Sequence, residues 1–68
     1  MKLFRSDTQL LTLQIAESEL LILSSCLREA FAALDRREFP LRVGVPVETA
    51  AKLADELSAQ LAAAGIEE

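Results

Sequence analysis

Along residues 10–15, Leu11, Leu13 and Ile15 alternate with Leu10, Thr12 and Gln14. A period of two is the pattern of a half-buried strand. Upstream, Lys2-Leu3-Phe4-Arg5 is short and strand-like, and Ser6-Asp7-Thr8-Gln9 between the two has turn chemistry. The pattern predicts a hairpin of 2–5 with 10–15, the alternative being a frayed N-terminus ahead of one strand.

From Glu17 onward the period changes. At about 100° per residue, Leu20, Leu23, Leu27, Ala30, Phe31 and Leu34 fall on one stripe, and Ile22, Cys26 and Ala33 extend it on one flank. Ser24, Ser25, Arg28, Asp35 and Arg36 take the remaining surface, with Leu21 among them. The pattern predicts a helix over 17–37, with Glu17 and Glu19 in its first turn and Arg36 and Arg37 at its end, as the helix dipole favours. Its apolar face covers about half of the cylinder, wider than the stripe of roughly 100° on an ordinary surface helix.

Pro40 is expected to end that helix and to bias Phe39 towards an extended conformation. Phe39, Leu41 and Val43 then alternate with Pro40, Arg42 and Gly44, so 39–44 reads as a short edge strand or a structured connector. Phe39 is expected to plug the core. Pro46 opens a second helix over 46–64, with Val47, Ala50, Leu53, Ala54, Leu57 and Leu61 inward. Glu48, Lys52, Asp55, Glu56 and Gln60 face away, with i,i+4 pairs Glu48–Lys52 and Lys52–Glu56. Gly65 is the expected stop, and 66–68 a loose tail.

These elements define an α+β fold in a single domain, 1–68: a small antiparallel sheet of two or three short strands, with two helices packed on one face. The chain has 68 residues, of which 51% are hydrophobic, too many for a disordered segment. A lone core is nevertheless marginal at this size. Surplus apolar surface on the first helix and open sheet edges lead us to expect a homodimer with a two-fold interface. Its candidate interface residues are Ile22, Cys26 and Ala33, with the solvent side of a strand.

The net charge is −4, and the excess acid lies in 45–68, where Lys52 is the single base among five acids. The densest basic group, Arg36, Arg37 and Arg42, is interleaved with Asp35 and Glu38. That mixture argues against nucleic acid, which needs a concentrated basic surface. About nine residues with a proline separate the two helices, too many for a helix-turn-helix. The longest uncharged run, Thr8–Ala16, falls well short of a membrane span. The N-terminal residues lack the apolar region of a signal peptide, and one cysteine suits a reducing compartment. A cytoplasmic protein without membrane or nucleic-acid partners is expected.

Chemistry has little to work with. The chain has no His, and both glycines, Gly44 and Gly65, lie beside helix ends, leaving no Gly-rich phosphate loop. Cys26 lies mid-helix with no base to activate it, and is expected to be a buried packing residue. Glu17/Glu19 and Asp55/Glu56 are explained by a first turn and a solvated face. No catalytic, cofactor or metal residues are assigned, and no enzyme is expected. Two short helices on a small sheet are not expected to enclose a ligand pocket of about 300 Å³ or more. Arg42 is a structural arginine or reaches a partner carboxylate. Together with Glu48, Asp55 and Glu56 it forms a candidate surface for a heterologous protein. The acidic face gives the alternative reading, an immunity-protein or antitoxin-like neutralising partner of a basic protein.

The run Leu27-Arg28-Glu29-Ala30 through Glu38-Phe39-Pro40-Leu41-Arg42-Val43-Gly44, followed by Glu48, resembles short uncharacterised bacterial proteins. These have a strand, a helix, a Glu-Phe-x-x-Arg-x-Gly connector and a second helix. The resemblance covers about 10–62 and implies the architecture but no activity. Such sequences often carry Ser or Thr caps where this chain has Ala16 and Pro46, and each missing acceptor costs about 1 kcal/mol.

Overall fold

The computed structural model describes residues 1–67. In chain order it comprises β1 (Lys2–Arg5), β2 (Leu11–Gln14), α1 (Glu17–Ala33), α2 (Glu38–Val43) and α3 (Val47–Ala63). The fold is α+β, with a two-stranded antiparallel sheet in which Leu3 opposes Leu13 and Phe4 opposes Thr12. The turn closes as its residues dictate. Asp7 Oδ1 accepts the Gln9 and Leu10 N–H groups at 2.7 and 2.9 Å, and Ser6 N–H donates to Leu10 O at 2.9 Å. Ser6 and Thr12 hydroxyls, 2.6 Å apart, tie the turn to β2.

Every residue of both strands is exposed. The hairpin therefore leaves both faces open, and the expected packing of the helices over one face is not seen. At the start of α1, the Glu19 carboxylate accepts the Ala16 N–H at 3.1 Å, half of a capping box that Ala16 itself cannot complete.

Helix α1 stops at Ala33, four residues short of the expected end. Leu34 takes an extended conformation, φ −106° and ψ 133°. Just beyond it, Asp35 Oδ1 accepts the N–H groups of Arg37 and Glu38 at 2.9 and 2.8 Å. A short carboxylate competing for backbone donors breaks one helix and starts another. Arg36 and Arg37 consequently lie in the turn, and no base occupies the last turn of α1.

Residues 39–43 are neither strand nor connector but belong to α2, with Gly44 as its cap, and among the described residues the sheet has no third strand. Pro40 is the third residue of α2, inside the first turn, where a missing N–H removes no intrahelical bond. The helix ends at Gly44, whose φ of 92° is left-handed and whose N–H donates to Pro40 O at 3.0 Å.

Helix α3 closes in a Schellman motif. Gly65 N–H reaches Ala62 O at 3.0 Å, and Ile66 N–H reaches Leu61 O at 2.9 Å. Ile66 is thus tied to the helix and not part of a loose tail; Glu68 lies outside the described residues.

Phe39 is fully buried and stacks on Phe31, with ring centroids 5.3 Å apart and planes at 15°. Ala50 and Leu61 of α3 complete the buried apolar set, joined by Ser24 of α1 at 3% exposure. Ser24 was expected on the polar side and Leu23 and Leu53 on the inner stripes, yet Leu23 and Leu53 are exposed. Leu21, expected among the polar residues, is half-buried. The packed face of α1 is therefore Leu20, Ser24, Leu27 and Phe31, with a small residue as its most buried member.

Candidate interaction surfaces

The packed face of α1 fixes what its other side presents. Ile22 and Phe31 are nine residues apart, about two and a half helical turns, and so point in opposite directions. Cys26 and Ala33 fall within about 40° of Ile22 on the same reckoning. All three candidate interface residues are exposed, Ile22 by 63%. Cys26 is an exposed free thiol, so its expected role as a buried packing residue is not realised. The wide apolar face foreseen on this helix is two faces on opposite sides, and one of them is used within the chain.

The outer face carries a shallow apolar depression formed by Leu21, Ile22, Ser25, Cys26 and Glu29. A second apolar surface lies on the hairpin. Leu3, Leu11 and Leu13 share one face of the ladder, and all are exposed. Neither α2 nor α3 covers Leu41, which is 85% exposed.

These patches add up to an unusual total. The chain has 5533 Å² of accessible surface, whereas a folded monomer of 7.4 kDa exposes roughly 4,200 Å². The Cα radius of gyration is 13.4 Å, against about 11 Å for a compact chain of this length. With extents of 34 × 31 × 18 Å, the molecule is a slab with too little thickness to bury its own apolar residues.

On the acidic side, Glu48 forms an ion pair with Arg36, joining the α1–α2 turn to the first turn of α3. That pair replaces the expected Glu48–Lys52 contact, and Lys52–Glu56 is likewise not an ion pair among the described residues. Arg42, Asp55 and Glu56 are all exposed. The candidate partner residues thus do not form one cluster. Glu48 is engaged within the chain, whereas Asp55 belongs to an open cleft between α1 and α3.

That cleft has a volume of about 380 Å³ and is open to solvent along its length, a groove and not an enclosed pocket. Leu27, Phe31, Ala54 and Leu57 line it together with Arg28 and Asp55. Ser24 and Ala51 also line it, and with Ala54 their small side chains contribute to its space. Among the described residues, no three His, Cys, Asp or Glu side chains converge as metal ligands would. No helix among them is long and apolar enough to cross a membrane.

No family model matches the chain, and no curated protein or solved structure matches it either.

Proposed function

We propose that the chain is a non-enzymatic protein-interaction module whose working form is a homo-oligomer, with a dimer as its simplest state. The observation that carries this reading is the surplus surface, roughly 1,300 Å² beyond that of a compact monomer of the same mass. A standard interface buries about 800 Å² per partner, so the surplus is of the size that one stable contact removes. Its composition supports the same reading. Ile22, Cys26 and Ala33 give α1 an outward apolar side, and Leu3, Leu11 and Leu13 give the hairpin another. Burying one such leucine or isoleucine completely is worth about 1.5–3 kcal/mol, and several of them are needed to offset the roughly 4–15 kcal/mol that association costs.

Sedimentation equilibrium of the parent chain beside Ile22→Asp and Cys26→Asp tests the reading. The parent is expected to sediment as a dimer or larger species and the variants as monomers. An unchanged mass in both folded variants would remove the outer face of α1 from the interface.

A further inference from the structure

We infer that the outer edge of β2 is a dimer seam: two copies pair β2 with β2, antiparallel about a two-fold axis, and join their hairpins into a four-stranded sheet. This rests on the homo-oligomer reading, whose interface already takes in the outer side of α1, and adds the strand edge and its register.

The two-stranded sheet leaves one open edge on β1 and one on β2. An isolated hairpin is marginal in water, and more strands with an apolar face stabilise it. Here both strands are exposed throughout, so the hairpin lacks that support within its own chain.

The two edges are not equivalent. β1 carries a base at each end, Lys2 and Arg5, and basic residues on an edge strand are a common protection against pairing. β2 is Leu-Thr-Leu-Gln and lies within the uncharged run Thr8–Ala16. Among the described residues, that edge strand carries no charged side chain.

The backbone narrows the register, and keeping both pairings within β2 selects one. Ser6 N–H donates to Leu10 O, so Ser6 and Leu10 form a hydrogen-bonded pair. Bonded and non-bonded pairs alternate along an antiparallel ladder. Phe4–Thr12 and Lys2–Gln14 are then bonded pairs, and Leu3–Leu13 and Arg5–Leu11 are not. The N–H and C=O groups of Leu11 and Leu13 therefore point to the outer edge. A second β2 satisfies them when Leu11 opposes Leu13 of the other copy, with the two Thr12 residues facing each other across the axis. Each Leu11–Leu13 pair then exchanges two backbone hydrogen bonds. A shift of one residue would set outward groups against inward ones and leucines against Thr or Gln. In the bonded register, Leu3, Leu11 and Leu13 of both copies adjoin on one face, with Arg5 of each copy at its rim. The surplus of roughly 1,300 Å² exceeds the about 800 Å² per partner of a standard interface, so a second copy has enough surface to cover.

Thr12→Lys tests the seam, because it sets two ammonium groups against each other on the axis and leaves the Leu11 and Leu13 edge groups intact. By light scattering over a dilution series, its dimer Kd is expected to rise about tenfold or more over the parent's, with the circular dichroism of the fold retained. A folded Thr12→Lys that dimerises as the parent does would overturn the seam while leaving the homo-oligomer standing. A parent that is monomeric at every concentration would overturn both, leaving the β2 edge for a strand from another protein. Should Thr12→Lys not fold, hydrogen exchange on the parent decides. The Leu11 and Leu13 amides are expected to slow as protein concentration rises, and concentration-independent exchange would overturn the seam.

Discussion

Phe31 and Phe39 stack at 5.3 Å with nearly parallel rings, and this contact joins α1 to the short helix that follows it. Among the described residues, Phe39 is also the one large side chain buried completely, so the small core turns on this pair. Phe39→Ala is expected to cost about 3–5 kcal/mol, which in a domain this small abolishes cooperative folding. Urea denaturation followed by circular dichroism checks it. A conservative cycle through Phe31→Leu and Phe39→Leu is expected to show a coupling of about 0.5–1.5 kcal/mol.

Asp35 decides where α1 ends and α2 begins. Asp35→Ala removes the acceptor for two backbone N–H groups and is expected to cost about 1 kcal/mol, while Asp35→Asn retains most of the stability. Equal losses in the two variants, read from denaturation midpoints, would show that the charge matters more than the cap.

Gly44 stops α2 with φ at 92° and has open space around the position of a Cβ. Gly44→Ala is therefore expected to lose about 1–2 kcal/mol through backbone strain alone, with no clash to relieve. A thermal melt of the variant would reveal the loss as a lowered midpoint.

The Arg36–Glu48 pair is solvent-exposed on both sides. Its removal by Glu48→Gln is expected to change stability by less than about 1 kcal/mol, and less still at high salt. A larger loss in denaturation at low ionic strength would mean that the pair anchors α3 to the α1–α2 turn.

Much of this arrangement was legible in the residues, because periodicity reports burial and the elements with a clear period were found. The strand at 10–15 was read within one residue at each end, and the helix at 46–64 likewise. Two features were hidden for physical reasons. Pro40 reads as a breaker in any helix interior, but its effect depends on position, and in a first turn it is harmless. Asp35 reads as a polar surface residue until its carboxylate is seen to compete for the donors of the next helix. Ser24 was misplaced for a related reason. Polarity puts a serine outside, whereas close packing against α3 favours its small size. That misplacement turned the expected stripe of α1 and made one wide apolar face out of two opposite ones. Ile22, Cys26 and Ala33 were read as a flank of the inner stripe, whereas they lie on the opposite side of α1, and Cys26, expected to be buried, is exposed.

Exposure of Cys26 gives a direct reading of that outer face. The thiol is expected to react rapidly with a disulfide reagent at low protein concentration, and more slowly as concentration rises and the face is covered. A rate independent of concentration would mean that Cys26 stays open in any oligomer.

The most direct measurement is molar mass by light scattering across a dilution series, with reducing agent present to exclude a Cys26 disulfide. A dimer or larger species that dissociates only on dilution is expected, since the surplus surface is then consumed between copies. A monomer that persists at high concentration and still unfolds cooperatively would contradict self-association as the working form.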